Sequence, residues 1–466
     1  MTALTEFTSR LIHCRRGNIA IMFAFSLIPV IASVGLGVDM ARAYAVKSRM
    51  AAALDAAALA VGSSTGTTAQ LQQIAQNFFN ANFPPGTIDA SPTIAITVNG
   101  DTITATANAT VSTVFMPVVG ITQLSVSSAS TVLRQITGLE LAMVLDNTGS
   151  MTTNNNIATL RDSANQLVTT LFGSYAVHPT LKIGLVPYSA AVNPGPVAAS
   201  LVGAGAAYDP VSPTGWKGCV VERASPNTTA DTPASTALWS RYVWASAVDN
   251  SYDVTKPATI LSDPSYGNSG TGPNLGCPTP ITPLTNVKAD LQTAINAMAA
   301  WSRGGTLGDV GMAWGFRLIS PESPFSEGQP WGTAKLTKAV IMMTDGVNQI
   351  YKLPSTSGTN KVNNAVNSDY TAYGRLDQYG LVGSTTISGA QTIIDSRLAA
   401  LCTAMKAKNV VVYTIIFTGT QDANTKAMYK ACASDSSKFF DAPTQTDLKN
   451  AFSAIAVQLS NLRVSQ

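Results

Sequence analysis

The sequence predicts an α/β protein: a doubly wound, mostly parallel sheet with helices on both faces, preceded by a membrane helix and a small β module. Three observations carry that prediction. From Gly138 onward apolar runs alternate with helical patterns. Residues 19–38 form one uncharged apolar run, and residues 93–115 alternate with period two around Asn99-Gly100-Asp101.

The chain has 466 residues, of which 45% are hydrophobic, enough to build more than one core. Only 12% are charged and the net charge is +3. The basic residues are scattered, so nothing marks a groove that would track phosphates, and nucleic acid is not an expected partner. There are two histidines, His13 and His178, neither at a ligand spacing from Cys or acidic residues. Neither a zinc site nor a histidine-based triad is therefore expected.

Residues 19–38, "IAIMFAFSLIPVIASVGLGV", would extend about 30 Å as a helix and cross a bilayer core. A cleaved signal would have an apolar region of only about 7–15 residues. Here the alanine-rich helical pattern 39–64 follows directly, so a retained anchor is expected, with 1–18 in the cytoplasm. Basic flanks do not orient it: Arg10, Arg15 and Arg16 precede the run, and Arg42, Lys47 and Arg49 follow. The cysteines do. Cys14 lies before the run, and Cys219, Cys277, Cys402 and Cys432 lie beyond it, an even number as an oxidising compartment requires. Three pairings are possible; Cys219–Cys277 and Cys402–Cys432 make the shorter loops, each stabilising by about 2–4 kcal/mol.

Val46, Met50, Leu54, Ala58 and Val61 recur at helical spacing, a stripe for a partner helix or for a neighbouring segment of this chain. Residues 65–137 read as a small α+β module of structural role. From 138 to 463 the strand candidates are 139–146, 181–189, 338–346, 409–417 and the shorter 438–442. Helical patterns cover 156–172, 286–301, 308–319, 386–407, 422–432 and 446–462. Two stretches interrupt them, 192–284 and 351–385. The first carries Trp216, Trp239, Trp244 and two cysteines, and is read as an inserted, disulfide-stapled subdomain rather than a structureless loop. "SYGNSGTGP" within it lacks the Gly-Lys-Ser/Thr of a phosphate loop.

Ligands on such sheets bind at the carboxyl ends of strands. There the sequence places Asp146, Thr148 and Ser150 ("VLDNTGSM"), Thr306 ("RGGTLGD") and Asp345 ("MMTDG"). Two carboxylates and three hydroxyls form an all-oxygen set for a hard divalent ion, with magnesium fitting best and manganese or calcium as alternatives. Singly, each residue has a plainer role: Asp146 or Thr306 as a helix cap, Asp345 in an Asp-Gly turn. Those roles do not account for their convergence on one rim.

These motifs resemble the von Willebrand factor A domain, whose metal-ion-dependent adhesion site draws Asp-x-Ser-x-Ser, a Thr and an Asp from three loops. The resemblance covers about 139–463. It implies that Ser150, Thr306 and Thr148 hold the metal through hydroxyls, that Asp146 and Asp345 act largely through coordinated water, and that a protein partner offers a carboxylate to the ion. Thr148 departs from the usual serine, and its methyl stiffens χ1 beside the ion.

A second resemblance lies in residues 14–60, "CRRGNIAIMFAFSLIPVIASVGLGVDMARAYAVKSRMAAALDAAALA", with "LCTAMKAKNVVVYTIIF" and "YKACASDSSKFFDA" near the other end. These are similar to TadG-type proteins of the tight-adherence (Flp) pilus assembly system. The similarity implies a bacterial inner-membrane protein with its bulk in the periplasm, serving pilus assembly, attachment and biofilm formation. Related pseudopilins carry a glutamate five residues after the glycine of "RRG", where a prepilin peptidase cuts; here that position is Met22, so the anchor is expected to stay uncleaved. The expected function is an assembly factor that binds a pilus or secretion-system subunit through the metal, with a minor pilin or surface-exposed tip adhesin as the alternative. No general base, nucleophile pair or cofactor loop points to an enzyme.

Overall fold

The computed structural model describes residues 17–64, 68–84, 92–99, 102–133, 137–202, 216–247, 249–252, 271–322, 324–352, 368–418 and 423–462. Cys14, the tip of the 99–102 turn and the glycine-rich 265–270 lie outside these residues. The chain divides into two compact units, Met1–Ile136 and Thr137–Gln466.

The first unit opens with α1 (Gly17–Gly62), followed by α2 (Thr68–Asn82) and three strands, β1 (Thr93–Asn99), β2 (Thr102–Ser112) and β3 (Gln123–Leu133). The strands form an antiparallel sheet in the order β1-β2-β3. The first half of α1 carries no charge before Asp39 and exposes Met22, Phe23, Phe25, Val30, Ile31 and Val34. It is long and apolar enough to cross a membrane. In its second half the stripe Val46, Met50, Leu54, Ala58 and Val61 is buried, clustered with Leu71 and Phe79 of α2 and with Ile103, Ala105 and Ala107 of β2. Of the two destinations the stripe allowed, it takes the one within its own chain. Period-two alternation in "TITATANATVS" turns small alanines inward, so the helices lie close on the sheet.

The second unit is built on a six-stranded sheet. Its strands are β4 (Gly138–Asp146), β5 (Leu181–Tyr188), the short edge strand β8 (Thr282–Thr285), β10 (Leu336–Thr344), β12 (Val411–Ile416) and β13 (Phe439–Asp441). Between them fall two small pairs, β6 (Val220–Val221) with β7 (Ser240–Arg241), and β9 (Gly305–Thr306) with β11 (Gln349–Ile350). The order is β13-β12-β10-β4-β5-β8, parallel throughout except for β8. Central strands read as unbroken apolar runs because both faces are covered. On one face Leu141, Met143 and Leu145 cluster with Leu160 of α3 (Asn156–Phe172), Leu291 of α4 (Lys288–Ala297) and Phe452 of α8 (Gln445–Leu462). On the other, Ala142 and Val144 cluster with Val310 of α5 (Gly308–Ile319), Leu398 of α6 (Ile387–Ala407) and Tyr429 of α7 (Ala423–Cys432).

Helix α5 is buried along its whole length and comes close to the sheet through its glycines. A Cβ on Gly311 would stand 2.6 Å from the Tyr188 ring, and one on Gly315 2.4 Å from Val144. The first insertion shares the core of this face: Trp216, Trp239, Trp244, Cys219 and Cys277 join the same cluster. It is tied there by Glu222, which accepts from Trp239 Nε1 at 2.9 Å and from Arg317 of α5 at 2.9 Å, with the Arg223 guanidinium 3.7 Å over the Trp239 ring. Disulfides join Cys219 to Cys277 and Cys402 to Cys432, with Cα atoms 5.8 and 5.1 Å apart.

Candidate metal centre at the sheet's carboxyl rim

Strand order fixes where a site can form. From β4 the chain passes through α3 to its neighbour β5, and later returns to β10 on the opposite side of β4. The loops after β4 and β10 therefore diverge and leave a crevice at their carboxyl ends. Asp146 ends β4, Thr344 ends β10, and Asp345 follows it.

Four of the five sequence-predicted residues meet there. Thr148 N–H donates to Asp146 Oδ1 at 2.8 Å, the tight turn that the Asp-Asn-Thr-Gly sequence favours. The Thr148 and Ser150 hydroxyls are 2.9 Å apart, and Ser150 Oγ donates to Asp345 Oδ1 at 2.7 Å. Asp146 Oδ2 accepts from Thr344 Oγ1 at 2.9 Å, from the Tyr188 phenol at 3.3 Å and from Asp345 N–H at 3.4 Å. Asp146 is fully buried, whereas Asp345 is half-buried and faces outward.

Thr306 sits on β9, paired with Gln349, and shares no hydrogen bond with the other four among the described residues. The cap of α5 is Leu307, without a side-chain bond, so Thr306 does not act as the cap. Its segment is held against the rim: Trp301 N–H donates to Asn147 O at 2.7 Å, and Leu307 N–H to Ser189 O at 3.1 Å. Arg303, Gly304 and Gly305 carry φ of 81°, 81° and 129°, a run that needs glycine at two of its three positions. Arg303 takes this costly conformation inside a buried charge network. Its guanidinium donates to both Asp369 oxygens at 3.0 and 2.9 Å and to Asp249 at 3.3 Å. Asp249 is held in turn by Arg375 at 2.8 Å. Both insertions thereby grip the segment that carries Thr306.

Both rim carboxyls are displaced from their ordinary values. Burial raises the Asp146 carboxyl above its ordinary value, against the opposing pull of the Thr148 and Thr344 donors. Burial, and then the neighbouring Asp146 charge, raises Asp345. Two carboxylates that disfavour each other's charge, with hydroxyl oxygens between them, suit a hard divalent ion. Among the described residues no group of three or more His, Cys, Asp or Glu is placed to hold a metal ion, so an ion between these two carboxylates would need further oxygen ligands such as hydroxyls or water. Beside Ser150 and Asp345 opens a cleft of about 760 Å³, lined by Asn154, Asn156, Phe417 and Gln445 among others, with no basic side chain among its described residues.

Thr344, Tyr188 and the Arg303–Asp369–Asp249–Arg375 network carry no local mark in the sequence. Tyr188 was within reach, because it stands opposite Asp146 in the β4–β5 register. The network joins residues far apart in the chain, and no local pattern announces it.

A doubly wound sheet with an antiparallel edge strand, and an Asp-x-Thr-x-Ser turn facing an Asp at its switch point, is the arrangement that the resemblance to the von Willebrand factor A domain implies. At the other end of the chain, residues 17–64 match the family model described as putative Flp pilus-assembly TadE/G-like. No curated protein matches the chain. Among solved structures, the von Willebrand factor domain of the type V pili tip protein Mfa5 from Porphyromonas gingivalis is similar at 13% identity and TM-score 0.37, over 71% of this chain and 97% of that one. The pilus adhesin SpaC from Lactobacillus rhamnosus GG, in its open conformation, is similar at 12% identity and TM-score 0.37, over 82% of this chain and 35% of that one. Proximal thread matrix protein 1 of the mussel byssus, with a zinc-occupied MIDAS motif, is similar at 12% identity and TM-score 0.33, over 70% of this chain and 46% of that one.

Proposed function

We propose that the chain is a membrane-anchored factor of Flp-type pilus assembly whose A-type domain engages a protein partner at the Asp146–Asp345 rim through a divalent cation. One observation carries the reading: hydroxyl and carboxylate oxygens of Thr148, Ser150 and Asp345 lie within hydrogen-bond distance of one another beside a cleft whose described lining has no basic side chain. Such a cleft offers an acidic ligand no positive charge to pair with unless a cation stands between them.

Thr148, Ser150 and Thr306 are proposed to supply hydroxyl oxygens, while Asp345 holds the outer side and Asp146 orients the turn. A divalent ion bound there would supply an electrophilic centre for a carboxylate of the partner. Magnesium is the proposed ion. Asn154, Asn156 and Gln445 line the approach and would contact the partner around that carboxylate. The TadE/G-like match over residues 17–64 supports the pilus system as the setting and a non-enzymatic role. α1 supplies the proposed anchor, and the two disulfides support a periplasmic location for the second unit.

A second reading, a minor pilin or tip adhesin, is favoured by one feature: the exposed apolar face of α1 would equally serve as a packing surface inside a fibre. Site-directed photo-cross-linking from Asn156 in cells, with magnesium or with EDTA, tests the site; fractionation tests the setting. The assembly-factor reading expects magnesium-dependent adducts in the inner membrane. Adducts indifferent to EDTA would contradict the metal, and recovery of the chain in sheared pili would favour the second reading.

A further inference from the structure

The first unit holds an exposed apolar loop at one particular height on α1. Between β2 and β3, residues 113–122 read "TVFMPVVGIT", and no charged residue occurs from Thr102 to Leu133. Val118 is 77% exposed and Val114 and Val119 are each 60% exposed, with Phe115 and Ile121 also outside the core. Five large apolar side chains crowded on one short loop form a patch, whereas singly exposed apolar residues would be ordinary.

The loop is fastened to the helix rather than hanging from the sheet. Asp39, itself buried, accepts backbone N–H groups from Val114, Phe115 and Met116 at 2.9, 2.9 and 2.8 Å. One turn nearer the N-terminus, Phe115 lies on Gly35, where an added Cβ would come within 2.4 Å of it. The loop thus embraces α1 from Gly35 to Asp39, a rise of about 6 Å. Asp39 is the first charge after the apolar run, and Arg42 and the exposed Tyr44 follow it, residue types that sit at a membrane–water boundary.

We propose that loop 113–122 is a second membrane contact. Val114, Phe115, Val118, Val119 and Ile121 enter the headgroup–acyl boundary beside α1, and the Asp39 carboxylate sets the depth. The occupant of the patch is lipid, because the patch continues the exposed apolar surface of α1 at the level where that surface ends. A depth of about 5–10 Å is usual for interfacial elements and matches the span from Asp39 to Gly35. The first unit would then be held upright on the bilayer by two contacts instead of swinging from one helix. This inference rests on the reading of residues 19–38 as a membrane span.

The test uses the full chain with Cys14→Ser, reconstituted in phosphatidylcholine–phosphatidylglycerol vesicles. An environment-sensitive NBD fluorophore is placed by Val118→Cys, by Ile31→Cys in the span, or by Thr131→Cys on exposed β3. Quenching is read with lipids spin-labelled at carbon 5 or carbon 12. The proposal expects the label at 118 to be quenched more strongly by the shallow label, the label at 31 by the deep one, and the label at 131 by neither. If 31 is quenched while 118 behaves like 131, the loop proposal falls and the span stands. If 31 is not quenched, the span reading falls and takes the proposal with it. A label at 118 that is shielded from both lipid quencher and aqueous iodide, and is released on dilution of the protein, would identify a second copy as the occupant and overturn the proposal.

Discussion

Asp146 uses both carboxylate oxygens on the fold around it, one on the Thr148 amide and the other on Thr344, Tyr188 and the Asp345 amide. Its part is to lock the β4 turn to the β10 turn, which leaves the Ser150 and Asp345 oxygens facing the cleft. Thr344→Val deletes the shortest of the bonds to Oδ2 and leaves a buried carboxylate one donor short. We expect a loss of about 1–3 kcal/mol in urea unfolding, and Thr344→Ser should recover most of it. Asp146, Thr148, Ser150 and Asp345 were legible in the sequence because each sits at a strand end in a short polar turn. Thr344 was hidden by reading as the last residue of an apolar run, and Tyr188 by the need for the register.

At the scale of elements, strands and helices of the second unit were legible because their periods are long and undisturbed. The helical patterns at 156–172 and 308–319 coincide with α3 and α5. Strand β8, "TPLT", was not legible: it is four residues long, contains a proline, and becomes a strand only by pairing with β5. The insertions hid more, since what holds them is non-local. Tyr373 of the second insertion donates to Asp309 in the first turn of α5, and burial, opposed by that bond and by Arg397, pushes the Asp309 carboxyl up to about 7. Between about pH 4 and pH 7 the folded state therefore holds a proton that the unfolded chain releases. Stability from this group is greatest at the acid end of that window and falls as pH rises toward 7. Asp309→Asn should flatten this part of the slope, read as the difference in urea midpoint between pH 5 and pH 8. An unchanged slope would place the proton elsewhere.

At the scale of the whole molecule, the chain joins a segment that matches the TadE/G-like family model, residues 17–64, to a doubly wound α/β unit. The apolar run, the stripe below it and the α/β alternation were each readable from local sequence. How the insertions close around the RGGT segment was not, because Asp249, Arg303, Asp369 and Arg375 are separated by up to 126 residues and meet only in the folded core. That network makes the segment bearing Thr306 stiff on one side, while the Ser150–Asp345 side stays open to the cleft.

The most direct test of the central claim is calorimetric titration of Mg²⁺ and Mn²⁺ into the full chain in detergent, beside Ser150→Ala and Asp345→Asn. Neither substitution removes a bond that Asp146 accepts, because the Asp345 donor in question is its backbone amide. The account predicts saturable binding at a single site in the wild type, weakened at least tenfold in each variant, with circular dichroism unchanged. Wild-type chain that binds neither ion, or variants that bind as the wild type does, would contradict it.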